Sequence, residues 1–185
     1  GGQVDAAAPA EPDWRQWWPP VRVPTDKQLE RRHDALVVEG QLAHIEDDVK
    51  RAALVEARRA WLIERDREQA ARAKRVSQRA RDVARRTWRR IVPILDKQGL
   101  LTALDADVLQ DLCLVVARID ECERNVSELG IWQRGERGSM KNPATTVANQ
   151  LRQTLRFYVG QLGLSPVARD ALNPSSGDDG NDDWD

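Results

Sequence analysis

The stretch ELGIWQRGERGSMKNPA runs from Glu128 to Ala144, with helix-like sequence on both sides. It holds three glycines (Gly130, Gly135, Gly138) and three cations (Arg134, Arg137, Lys141). Two readings compete for it, a phosphate-binding loop and a tight connection between helices. Gly130 and Gly135 stand five apart, the spacing of G-x-x-x-x-G-K-[ST], but Glu136 and Arg137 occupy the positions of the Lys and the hydroxyl residue. That motif needs the Lys to reach phosphate and the hydroxyl to hold Mg²⁺. A carboxylate in the Lys position repels the ligand, and no strand-like apolar run precedes Gly130. The better reading is two short strands around a glycine-containing turn, a hairpin over about 130–142.

The flanks agree with a helical fold. Asn142-Pro143 reads as a helix start, with Asn at the cap and Pro at the first helical position. Val147, Leu151, Leu155, Tyr158 and Leu162 then recur at helical spacing up to Gly163. "LSPVARDAL" predicts a last short helix with Ser165 as cap and Pro166 following. Upstream, Thr102 or Asp105 caps a helix that reaches Leu129, its apolar face carrying Leu104, Val108, Leu112, Val115 and Ile119. Before that, Trp88, Ile91 and Leu95 share a helical face. Pro93 is expected to kink or end the helix, and Gly99 to cap it.

From Asp26 to Val92 there is no proline, and Gly40 is the one glycine. Ala, Arg, Glu, Leu and Gln dominate, all good helix formers. The expectation is one or two long helices with Thr25 or Asp26 as cap and a break near Gly40. Leu42, Ile45, Val49 and Ala52 form a first apolar stripe. Leu62, Gln69, Val76 and Val83, with Asp66, Ala73, Ala80 and Thr87, form a 4-3 heptad seam that is weakened by its alanines and by Asp66 and Gln69. Beside it Arg58, Arg65, Arg72, Arg79 and Arg86 are each seven apart, a cationic stripe on a helix. Residues 1–25 form a Pro/Trp-rich arm with Trp14, Trp17 and Trp18. It reads either as an arm that is disordered or packs its indoles on the protein's own helices, or as a docking peptide for a partner.

Charge is unevenly placed. Net charge is −1, yet Arg58–Arg90 holds thirteen Lys/Arg against four Asp/Glu, and five aspartates fall in the last twelve residues. One basic segment and one acidic tail is the pattern of a nucleic-acid-binding protein with an interaction tail. The stripe's other readings are a solvated flank of a helix contact and a surface for an acidic protein, including the chain's own tail. The chain has 32% charged and 5% aromatic residues over 185 positions, a composition of long helices with wet faces. No apolar run is long enough to span a membrane, and the start lacks the pattern of a secretory signal. Cys113 and Cys122 lie on opposite sides of one predicted helix and read as reduced packing thiols. His33 and His44 are too far apart along a helix for one metal ion, and no cluster has metal-ligand spacing. No acid/base pair, nucleophile or cofactor site can be assembled, so an enzyme is not expected.

In order, "TWRRIVPILDKQGLLTALDADVLQDLC", a helix, "LGIWQRGERGSMKNP" and a helix ending "LGLSPVARDAL" resemble small terminase subunits of cos-type tailed bacteriophages. The resemblance rests on Trp88, Pro93–Leu95, Gly99 to Thr102, Asp105, Gly130, Gly138, Asn142-Pro143, Gly163 to Pro166 and Arg169, over about residues 81–173. It implies a non-enzymatic, ring-like homo-oligomer in the bacterial host cytoplasm. Such a protein binds viral double-stranded DNA near the packaging start and recruits and regulates the large terminase subunit, which holds the ATPase and nuclease. The long charged helix before the Trp88 segment departs from the family pattern.

These readings combine into an all-α protein with a long coiled-coil-like N-terminal segment and a helical oligomerisation core carrying one short β-hairpin. The expected segments are 1–25 (arm), 26–92 (basic helical segment), 93–173 (core) and 174–185 (acidic disordered tail). The candidate DNA-binding residues are Arg58, Arg65, Arg72, Lys74, Arg75, Arg79, Arg86, Arg134, Arg137 and Lys141, the last three equally suited to touch a neighbouring subunit. The candidate large-subunit contacts are Asp178, Asp179, Asp182, Asp183 and Trp184. No cofactor or metal is expected. The alternatives are a coiled-coil architectural protein that binds DNA without sequence preference, and an adaptor for an acidic protein.

Overall fold

The computed structural model describes residues 8–101, 105–135 and 138–165. Its elements are α1 (Asp26–Arg32), α2 (Ala35–Gln41), α3 (Asp48–Lys97), α4 (Ala106–Leu129), β1 (Trp132–Gly135), β2 (Gly138–Lys141) and α5 (Pro143–Gln161), preceded by a 3-10 turn at Trp14–Gln16. The fold is mostly helical with a single two-stranded hairpin among the described residues. The chain divides into two compact units, Trp14–Arg81 and Gly1–Asp13 with Asp82–Asp185.

In the unit Trp14–Arg81, the segment expected as one or two long helices is three. Thr25 starts α1, its N–H donating to Gln28 Oε1 at 2.9 Å, a capping-box arrangement. The chain breaks at His33, and Asp34 caps α2 by accepting from the Leu36 N–H at 2.9 Å. Gly40 lies inside α2, and the second break spans residues 42–47, where Asp47 accepts from the Lys50 N–H at 3.0 Å. The second break therefore begins just past Gly40, near where one was expected, and the first, capped by Asp34, is an additional one. The short helices return against α3: Val38 packs with Val55 and Leu62, flanked by Ala35 and Leu42, and Leu29 is fully buried. The Trp arm also packs on its own chain. Trp14 is buried beside Trp17, the Pro19 carbonyl accepts from Ser77 Oγ at 2.8 Å, and the Trp18 carbonyl accepts from Arg81 Nη1 at 2.9 Å.

In the other unit, α3 runs through Pro93 to Lys97, so the proline does not end it. Pro93 is exposed and has no N–H for the Arg89 carbonyl, yet the helix continues past it. Trp88, Val92 and Leu95 are buried, as the helical spacing requires. The end is a Schellman motif, with the Leu100 N–H on the Leu95 carbonyl (3.1 Å) and the Gly99 N–H on the Asp96 carbonyl (2.9 Å). Glu11 pairs with Arg85 (3.4 Å) and Arg89 (3.0 Å).

Helices α4 and α5 form an antiparallel pair joined by the hairpin. Three contacts fix the direction: Tyr158 Oη to Asp111 (3.3 Å), Arg152 to Glu123 (2.5 Å) and Asn142 to Asn125 (3.0 Å). The apolar face of α4 buries Leu109, Leu112, Cys113, Leu114, Val115 and Ala117. Each large aliphatic among them contributes about 1.5–3 kcal/mol relative to exposure. On α5, Ala148 is buried and Leu151, Leu155 and Tyr158 half-buried, and Leu162 at the C-cap is buried, but Val147, expected on that face, is exposed. Thr102, Leu104 and the predicted last helix after Ser165 lie outside the described residues.

Candidate nucleic-acid interface

The cations of α3 fall into two sets. One set holds the unit Trp14–Arg81 together. Arg59 Nε donates to the His33 carbonyl at 2.9 Å and so caps α1 from outside. Arg67 joins Asp26 (2.8 Å) to Glu64, and Arg81 holds the Trp arm. Arg65 reaches Asp66 Oδ1 through Nε (3.2 Å) and Nη2 (2.9 Å). Asp66 also meets His33 Nε2 at 2.9 Å and Arg32 Nη1 at 3.3 Å. The Arg65 hydrogen bonds, then those of His33 and Arg32, hold the Asp66 carboxyl down at about 2. The polar break in the heptad seam at Asp66 is thus the junction that fastens α1 to α3.

The second set faces solvent. Arg58, Arg72, Lys74, Arg75 and Arg86 are exposed, whereas Arg65 and Arg79 are half-buried. Arg72, Ala73, Lys74, Arg75 and Val76 are all exposed, one after another. Five residues at about 100° each cover the whole circumference of a helix, so among the described residues none encloses α3 there. The expected seam is open at Gln69, Ala73 and Val76 for the same reason. From Gln69 to Arg81 there are five cations and no carboxylate. Ala, Arg, Lys and Gln keep such an unpacked stretch helical through intrinsic propensity.

Ahead of this stretch, Trp61 is 51% exposed. The Arg58 guanidinium carbon stands 4.9 Å, and that of Arg65 5.0 Å, from its ring centroid. This cluster escaped the sequence reading, although the spacing Arg-x-x-Trp-x-x-x-Arg carries it, since residues three and four apart meet on a helix surface.

The hairpin answers the question raised by the Gly-rich loop. Trp132 pairs with Lys141, Gln133 with Met140, Arg134 with Ser139 and Gly135 with Gly138. Alternation along the strands puts Trp132, Arg134, Ser139 and Lys141 on one face. Trp132, Arg134 and Lys141 are all exposed. Gly130 ends α4 at φ +81° and Gly138 opens β2 at φ +120°, conformations that L side chains rarely adopt. Buried Asn142 ties the hairpin to both helices. Its Oδ1 accepts from the Ala144 N–H (3.0 Å), and its Nδ2 donates to Asn125 Oδ1 (3.0 Å) and the Gly130 carbonyl (3.0 Å). The loop is a structural joint with a cationic, aromatic face, and its glycines serve the backbone.

Arg137, and Asp178, Asp179, Asp182, Asp183 and Trp184 of the tail, lie outside the described residues. Among the described residues no group of three or more His, Cys, Asp or Glu is placed to hold a metal ion, and no helix is long and apolar enough to cross a membrane.

A family model described as "Phage terminase, small subunit" matches residues 84–179. No curated protein and no solved structure matches the chain. The matched region takes in the C-terminal part of α3, the α4–hairpin–α5 arrangement and the Asn142-Pro143 joint, and it covers just over half of the sequence. The chain belongs to the phage terminase small-subunit family, and its role is in phage DNA packaging.

Proposed function

We propose that the protein is a non-catalytic DNA-packaging adaptor of the cos type. It assembles as a homo-oligomeric ring in the infected host's cytoplasm, binds viral double-stranded DNA near the packaging start, and recruits and regulates the large terminase subunit. The observation that carries the DNA contact is the exposed stretch Arg72–Val76 of α3, which holds Arg72, Lys74 and Arg75 with no carboxylate between Gln69 and Arg81. Like charges on one helix repel, and phosphate relieves that repulsion. A single helix exposed around its circumference over Arg72–Val76 also has the width that a major groove admits. Arg134 and Lys141, on one face of the hairpin, are a second contact, with Arg137 between the strands in sequence.

The acidic tail has a different role. Asp178, Asp179, Asp182 and Asp183 repel phosphate, and Trp184 offers an apolar anchor, so the tail is assigned to the large subunit. Converting the four aspartates to Asn is expected to weaken recruitment of the large subunit while leaving or raising DNA affinity. Loss of DNA binding in that variant contradicts the assignment.

The DNA contact is tested with the triple variant Arg72→Gln, Lys74→Gln, Arg75→Gln. Glutamine keeps helix propensity, so helicity by circular dichroism is expected to persist. Affinity for unrelated duplex sequences is expected to fall by the same factor for each, since phosphate contacts carry no sequence information. Unchanged affinity returns α3 to a solvated flank and leaves the hairpin face as the candidate. Light scattering of the parent chain at micromolar concentration is expected to give one species well above a dimer, and a clean monomer contradicts the ring.

A further inference from the structure

We propose that Trp61, held between Arg58 and Arg65, is a stacking platform for the unpaired bases of a single-stranded nucleic acid. This site lies outside the region matched by the family model and is separate from the duplex contact assigned to Arg72–Val76. The indole is half exposed on α3, in contrast to buried Trp14 and half-buried Trp17 and Trp18. It is also held in place. The His33 ring and the Arg32 guanidinium fix the Asp66 carboxylate, two Arg65 nitrogens reach that carboxylate, and the Arg65 guanidinium stands over the Trp61 ring. Arg58 stands 4.9 Å from the same ring and makes no ion pair among the described residues. Both guanidiniums stand over the ring, so a base stacks by taking the place of Arg58, whose guanidinium then turns its N–H groups to the phosphate, while Arg65 stays with Asp66.

The ligand that suits this cluster brings a flat π-surface and a negative charge together. An unpaired nucleotide has both, and single-strand binding sites combine aromatic platforms with arginine in this way. A duplex hides its base faces in the stack, and an acidic peptide brings carboxylates without a base. The cluster also has a continuation. Arg72 follows Trp61 by eleven residues, three helical turns to within about 20°, so it lies on the same face about 16 Å further along the axis. A strand stacked on Trp61 can therefore run its phosphates toward the cationic stretch.

The test is fluorescence anisotropy of the full chain with labelled oligo(dT) and with a labelled duplex, for the parent, Trp61→Ala and Trp61→Phe. Trp61→Ala is expected to weaken oligo(dT) binding by roughly 5- to 150-fold, the range for losing one stacked base. Duplex affinity is expected to stay within about twofold, because phosphate contacts do not need the indole. Trp61→Phe is expected to recover most of the single-strand affinity, a rescue that a loss of helix packing does not give. The proposal is overturned if the parent does not bind oligo(dT), if Trp61→Ala leaves that affinity unchanged, or if both affinities fall alike. It is also overturned if poly-aspartate displaces oligo(dT) as well as unlabelled oligo(dT) does at matched charge, which identifies an acidic protein as the occupant. The duplex reading has its own variant at Arg72, Lys74 and Arg75, so each idea can fail without the other.

Discussion

Replacing Asn142 with Ala removes three side-chain hydrogen bonds from a buried site, those to the Ala144 N–H, Asn125 and the Gly130 carbonyl. Loss of an N-cap costs about 1 kcal/mol. Each of the other two contributes about 0.5–1.5 kcal/mol, and more where the partner is left without a donor. The expected destabilisation of the α4–hairpin–α5 joint is about 2–4 kcal/mol, which corresponds to opening about 30- to 900-fold more often. Amide hydrogen exchange of the residues flanking the joint, at the end of α4 and the start of α5, reads this directly. Asn142→Asp keeps the acceptor for the Ala144 N–H and places a negative charge at a helix N-terminus, but it cannot donate to Asn125 or Gly130. Its exchange rates are expected to lie between those of the parent and of Asn142→Ala. If Asn142→Ala changes exchange by less than about threefold, the hairpin is held by something other than this residue, and the reasoning fails.

Two further predictions concern titration and reactivity. The Asp66 carboxyl is lowered from 3.8 to about 2, chiefly by Arg65 and then His33, so its contribution to folding is complete above about pH 4 and disappears as pH falls through 2. Hydrogen exchange in α1 and α2 is expected to accelerate across that window, and Asp66→Asn is expected to remove that dependence; a parent whose α1 exchange is flat from pH 4 to 2 contradicts the junction. Burial pushes the Cys113 thiol up to about 12, whereas half-buried Cys122 is raised without such depth. A disulfide reagent at pH 8 is therefore expected to label Cys122 first and Cys113 only on unfolding, and equal labelling rates in the folded chain refute the packing of α4.

The core arrangement was legible because local chemistry and tertiary packing agree there. Asn142-Pro143, Gly130 and the apolar spacing of α4 and α5 each mark a boundary or a face that the structure uses. Of the two breaks in the basic segment, the one over residues 42–47 follows Gly40 closely, as expected, whereas the one at His33 was not legible. Asp34 and Asp47 cap the helices that follow them, and at Asp34 that signal was present in the sequence but outweighed by the long run without proline. At Pro93 the helix does not end, one of the two outcomes expected there, but runs on to Lys97. Of the cationic stripe, the seven-residue spacing was legible but the division of labour was not. Arg65 is occupied by Asp66, and the equally basic Arg59, Arg67 and Arg81 hold α1 and the Trp arm, because partners distant in sequence claim them. Trp61 between its two arginines is instead a local arrangement at three- and four-residue spacing, present in the sequence but overshadowed by the seven-residue stripe.

The central claim is that the exposed stretch of α3 meets duplex DNA through its phosphates. It is tested most directly by the slope of log affinity against log salt for the parent and for the variant with Gln at positions 72, 74 and 75. Each phosphate contact contributes about 0.9 to that slope. Three lost contacts are therefore expected to flatten it by about 2.7 for each engaged helix. Equal slopes for the two proteins, with helicity intact, contradict the account.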